Sequence, residues 1–80
     1  MFFTYIIKSL KDSSYYYGST SNLENRLKLH NGGKSKYTKS KRPWILHYKE
    51  EFETRTEAVK KEMFFKTLEG YIWLKDNEII

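Results

Sequence analysis

Eighty residues leave room for one domain and not for two, and a chain this short must build its core economically. It has no cysteine, which excludes disulfides and thiolate metal sites and is compatible with a reducing cytoplasm, and no apolar run approaches the ~20 residues of a membrane helix. The net charge of +5 favours an anionic partner, nucleic acid before others, although a basic surface kept for solubility would carry the same charge.

The first segment, residues 2–9, alternates and is rich in Phe, Tyr and Ile. It reads as a strand rather than a signal peptide, which would carry a basic start and a small-residue cleavage site. Lys11-Asp12-Ser13-Ser14 reads as a turn, and Tyr15-Tyr16-Tyr17 as the returning strand of a hairpin, ended by Gly18. Ser21-Asn22-Leu23-Glu24 has the spacing of a capping box. It predicts a helix to about His30 with a short apolar stripe at Leu23 and Leu27, stopped by Asn31-Gly32-Gly33. Residues 34–42 are too polar for a core element and read as an exposed basic loop. Past Pro43, Trp44 to Phe52 alternates as a third strand, with Trp44, Leu46, Tyr48 and Phe52 on one face. Thr54-Arg55-Thr56-Glu57 is a second capping box, opening a helix to about Leu68 that Gly70 ends. Tyr71 to Asn77 reads as a short last helix packing Ile72 and Leu74. The order β-β-α-β-α-α predicts an α+β domain with a small three-stranded antiparallel sheet.

Four features could carry chemistry, and each has a plainer reading. At about 100° per residue, Ala58, Val59, Met63 and Phe65 define the apolar face of the second long helix, and Glu62 falls inside it. A carboxylate there must be desolvated, metal-bound or paired, and Lys66 one turn later is a ready partner. Arg26 and His30 share one helix face. They can fork onto a phosphate and move a proton, or simply suit a helix C-terminus. Tyr5 and Tyr16 can pack across strands, or act in proton transfer where cations lower a phenol's pKa. Lys34, Lys36, Tyr37, Lys39, Lys41 and Arg42 suit phosphate contacts and one base stack, or are a solvated loop. There is no Walker loop, dinucleotide fingerprint, zinc spacing or HExxH motif. His47 reads as a surface residue.

The order and spacing of these features resemble the GIY-YIG endonuclease superfamily. Thr4-Tyr5-Ile6-Ile7 is similar to its first strand, and Tyr16-Tyr17-Gly18 matches the YIG element. Arg26 follows Tyr16 by ten residues and Glu62 follows Arg26 by thirty-six, both intervals that suit the family. The likeness covers residues 2–68 and is strongest to short stand-alone bacterial proteins related to the N-terminal incision domain of the bacterial repair excinuclease. Phe3 stands where the family's glycine would be, and no equivalent of the asparagine found after the Glu helix in larger members is present, Asn77 lying too far along.

The resemblance implies a single GIY-YIG domain over residues 1–80 and metal-dependent hydrolysis of DNA phosphodiester bonds in repair or processing. Tyr5, Tyr16, Arg26, His30 and Glu62 would be its catalytic residues. Glu62 would hold one Mg²⁺ or Mn²⁺, Arg26 would stabilise phosphoryl charge, and one of the two tyrosines would accept the proton of the attacking water. The basic loop, with Lys66, would hold the DNA. A nucleic-acid-binding module that keeps the fold without turnover is the alternative, and an interaction protein with a merely solubilising charge is the more remote one.

Overall fold

The structure, a computed structural model, describes residues 1–80. Strand β1 (Phe2–Ser9) turns back into β2 (Tyr15–Thr20), and helix α1 (Leu23–Asn31) follows. A 3₁₀ turn at Lys39–Lys41 leads into β3 (Trp44–Phe52), then α2 (Arg55–Phe65) and α3 (Leu68–Asp76). The strands form one antiparallel sheet in the order β2-β1-β3. The α+β class and the element order expected from the sequence are the ones observed.

β1 lies between the other two strands, and Thr4 to Ile7 are buried on both faces. Successive side chains point to opposite sides. Tyr5 and Ile7 pack with Trp44, flanked by Tyr16, Leu23 and Leu27 of the α1 layer. Ile6 packs with Phe65 and Leu74, flanked by Tyr15, Tyr17, Tyr48 and Trp73 of the α2–α3 layer.

Local differences from the expected elements have physical causes. β2 does not end at Gly18, because pairing continues through Tyr5–Gly18 and Thr4–Ser19 to Phe3–Thr20. β3 does not keep one apolar face. Ile7 pairs with Leu46 and Ile6 with Tyr48, so His47 is an extra, bulged residue that flips the pattern. Trp44 and Leu46 therefore face α1, and Tyr48 and Phe52 face the opposite layer.

The cap of α1 is Asn22 rather than Ser21. The Asn22 side-chain oxygen accepts the Asn25 N–H at 3.0 Å, while Glu24 pairs along the helix with Lys28 at 3.4 Å. The capping box at Thr54–Glu57 forms as the sequence predicts.

α2 ends at Phe65, because Thr67 caps a new helix by accepting the Gly70 N–H at 3.0 Å. Gly70 is thus an early residue of α3 and not a terminator. A Cβ there would sit 1.8 Å from the Phe64 carbonyl oxygen, so only glycine lets the two helices meet this closely. Met63 is 63% exposed, not part of the apolar face. In α3, Leu74 is buried as expected, but Ile72 is exposed and Trp73 takes the inward place.

Candidate active site

The α1 face of the sheet carries a run of buried polar side chains. The Tyr5 ring crosses from β1 over β2, and this path requires Gly18, since a Cβ there would lie 2.4 Å from the Tyr5 hydroxyl. The hydroxyl ends 3.0 Å from Nε2 of His30, and Nδ1 of His30 is 2.8 Å from the Thr38 hydroxyl. Trp44 Nε1–H then donates to the Thr38 carbonyl at 2.9 Å. Tyr5, His30 and Thr38 are all buried, at 1%, 3% and 0% exposure. Buried polar groups are tolerated when paired, and these form one continuous chain.

Protonation along this chain follows from its surroundings. Burial, and then the positive charge of Arg26, holds the His30 imidazole below its usual value, so the ring is neutral. A neutral imidazole has one donor and one acceptor nitrogen, matched here to two hydroxyls that can each give or take. Burial pushes the Tyr5 phenol up to about 12 although the Arg26 guanidinium beside it acts to lower it; the charges of Tyr16 and Glu62 add to the rise. Tyr5 therefore keeps its proton at neutral pH.

Tyr16 is placed differently. It is half-buried on β2, with its ring 5.0 Å from that of His30 and 5.6 Å from that of Tyr37. Together with Tyr15, Tyr17, Tyr37 and Lys66 it lines an open cleft along the β2 edge. Arg26 is half-buried and, with Tyr5, lines a mainly apolar cavity of about 250 Å³ whose walls include Ile7, Leu23, Leu27 and Leu46.

Glu62 projects from the inward face of α2, one turn from Ala58 and from Phe65. Its side chain is only 20% exposed and takes a 2.7 Å ion pair from Lys66 on Oε2; Oε1 makes no hydrogen bond. The pairing with Lys66 foreseen from the sequence is present, yet not away from the tyrosines. Lys66 lines the tyrosine cleft, and the Glu62 charge reaches Tyr5. No group of three or more His, Asp or Glu side chains gathers to hold a metal ion.

The basic loop divides at Thr38. Lys34, Lys36, Tyr37, Lys39 and Arg42 are exposed, and Lys41 is drawn to Asp12 at 3.8 Å. The loop is not wholly a solvated segment, because Thr38 plugs into the core beneath His30. Sequence reading missed Thr38; its one mark was a short side chain amid lysines. Phe3 is half-buried beneath the ammonium of Lys49, so the strand accepts a ring at that position. His47 is exposed and bonded to the Ile79 carbonyl, which ties down the C-terminal residues.

The molecule thus combines a three-stranded sheet bearing a tyrosine on each hairpin strand, an Arg–His helix above it and one inward glutamate on the next long helix. The family model described as the GIY-YIG catalytic domain matches residues 1–75, and the chain belongs to this family.

Among its relatives, the chain is 48% identical to a UPF0213 protein of Bacillus licheniformis, over 92% of this chain and 82% of that protein. It is 47% identical to a UPF0213 protein of Staphylococcus haemolyticus, over 81% and 79% of the two chains. It is 48% identical to the UPF0213 protein YazA of Bacillus subtilis, over 82% and 67%. No solved structure matches the chain.

Proposed function

We propose that this chain is a metal-dependent endonuclease that hydrolyses DNA phosphodiester bonds in repair or processing, with residues 1–80 acting as one domain in the cytoplasm. One observation carries the reading. The Tyr5 hydroxyl bonds buried His30, the Tyr16 ring packs against that imidazole, and the charges of Arg26 and Glu62 both bear on the Tyr5 phenol, in a chain of the GIY-YIG family.

The residues fit a divalent cation, Mg²⁺ or Mn²⁺. Mg²⁺ keeps several waters and needs only one or two carboxylates besides substrate phosphates, and Glu62 offers one with Oε1 free of protein hydrogen bonds. Such a cation supplies charge neutralisation at the phosphate and stabilises the leaving oxygen. Glu62 would hold it. Arg26 would meet the charge that grows on the phosphoryl oxygens.

The two tyrosines divide the remaining work. Tyr16 borders open space, which supports giving it the proton of the attacking water. Tyr5 is sealed from solvent, holds its proton and acts through His30 as a positioning residue. Lys66 and the lysines and Arg42 of the loop would hold the DNA backbone. A domain of this size has little surface for reading bases, which favours structure-selective or weakly sequence-specific cleavage.

A second reading, a nucleic-acid-binding module without turnover, draws on the Lys66 ammonium that already occupies Oε2 of Glu62. The two separate on purified protein given branched, nicked, single- and double-stranded DNA with Mg²⁺ or Mn²⁺. Cleavage of at least one substrate that chelator abolishes is the expected outcome. Salt-sensitive binding to all of them with no cleavage of any would leave the binding module instead.

A further inference from the structure

Beyond the C-terminal end of β1 lies a second concave surface that shares no residue with the tyrosine cleft or the Arg26 cavity. It is an open depression of about 470 Å³ lined by Lys11, Asn31, Lys39, Ser40, Arg42 and Pro43. Three cations from two separated segments, the β1–β2 turn and the loop before β3, meet there.

Two of these cations, Lys11 and Arg42, are held in place, and none of the three is neutralised. Lys11 Nζ donates to the Ser40 carbonyl at 3.1 Å, and Arg42 Nε donates to the Lys39 carbonyl at 2.8 Å. Neither of them nor Lys39 lies within salt-bridge distance of a carboxylate; the one acid nearby, Asp12, is shared with Lys41 and Ser14. An arginine has five donors and a lysine three, so both keep N–H groups for a ligand. The Ser40 hydroxyl makes no hydrogen bond within the protein and adds a further donor. The Asn31 side chain clasps the Trp44 backbone, donating to its carbonyl at 2.9 Å and accepting its N–H at 2.6 Å, and so fixes the back of the pocket. A forked guanidinium with two ammonium groups and a hydroxyl matches a phosphate, and the absence of an aromatic ring from the lining disfavours base stacking.

We propose that Lys11, Lys39, Arg42 and Ser40 form a phosphate-binding pocket that takes a backbone phosphate of the DNA well away from the one being cut. The DNA assignment rests on the nuclease reading; the anion pocket itself does not. Within β1 the last residue, Ser9, follows Tyr5 by four residues, which at strand rise is about 13 Å, or about four base-pair steps of duplex, and Lys11 stands in the turn just beyond. The pocket would thus anchor substrate at a fixed distance from the chemistry. Adjacent Thr38 ties the same loop to His30.

The test uses the metal-free Glu62→Gln protein, so that binding is read without turnover. DNA affinity is measured against salt for it and for the same protein with Lys11→Ala and Lys39→Ala, which leave the Arg42 loop bonds intact. The added pair is expected to weaken binding equally for all sequences and to make the salt slope shallower by about one unit. Lys60→Ala with Lys75→Ala, on the α2–α3 side, is the control and should change neither the sequence dependence nor the slope by as much.

Amide shifts of Lys11 and Ser40 distinguish the sources of the ligand. Movement with inorganic phosphate assigns a site for a lone phosphate, and movement with DNA alone assigns one that needs the polymer. An unchanged slope together with still amides in both titrations would overturn the pocket. Cleavage by the wild-type chain with those results would sink the pocket and keep the nuclease; no cleavage with the expected slope change would do the reverse.

Discussion

Alternate residues of β1 lead into two unlike layers. Ile6 points into an interior closed by Phe65 and Leu74 and by the rings of Tyr17, Tyr48 and Trp73, with Phe65 stacked 6.0 Å from Trp73. The deepest polar contact on that side is the Thr4 hydroxyl donating to the Ala58 carbonyl at 2.6 Å. Tyr5 points the other way, into a layer that buries two hydroxyls and an imidazole in series. Every buried polar side-chain atom in the molecule has a partner. The contrast teaches how a small domain can hold costly polar groups. Burial of large apolar side chains on one face supplies stability, and the other face is free to fix orientation.

Substitutions on each side sharpen that division. Leu74→Ala should have the largest effect on stability, about 2–5 kcal/mol, because it opens a cavity in the apolar layer. Urea unfolding measures it, and cleavage per folded molecule should be retained. If Leu74→Ala instead costs less than Tyr5→Phe, the apolar layer is not the source of stability.

Tyr5→Phe removes one hydroxyl and leaves Nε2 of His30 without its partner. A loss of about 1–3 kcal/mol is expected, together with a fall in turnover that Leu74→Ala does not show.

The buried imidazole also gives the α1 layer a pH dependence. An unfolded histidine takes a proton below its ordinary value of 6.5, while His30 in the folded chain takes one only at lower pH. Between the two the unfolded state binds more protons, so stability falls as the pH drops below 6.5. Urea midpoints at pH 7 and pH 5 should differ more for the wild type than for His30→Gln. Equal differences would mean that the imidazole does not drive the loss.

The smallest effect belongs to the surface. Glu24→Gln breaks an ion pair with Lys28 whose side chains are 82% and 74% exposed, and a change within about 0.5 kcal/mol is expected.

Much of this arrangement was legible in the sequence, and the reasons differ by residue. Glu62 stood out because a helix of period 3.6 carries it into the apolar arc, and the structure keeps it four-fifths buried there. Strand alternation set Tyr5 on the face of Ile7 and Tyr16 opposite to Tyr15 and Tyr17, and both relations are kept. Thr38 was not, because its burial comes from the loop closing on His30 and no local period marks it. The bulge at His47 leaves no compositional trace, so the face of Tyr48 and Phe52 was misassigned. Gly70 looked like a stop because helix ends favour glycine; its actual constraint is a contact between α2 and α3 that exists only after folding.

Under the proposed function, Glu62 would make this face catalytic and not merely support the fold. The direct measurement is cleavage of DNA by the wild type and by Glu62→Gln at increasing Mg²⁺, with urea unfolding of both. A loss of at least about a hundredfold in rate at every Mg²⁺ concentration, with stability within about 1 kcal/mol, is the expected result. Equal cleavage by the two proteins, or a Glu62→Gln chain that fails to fold, would contradict it.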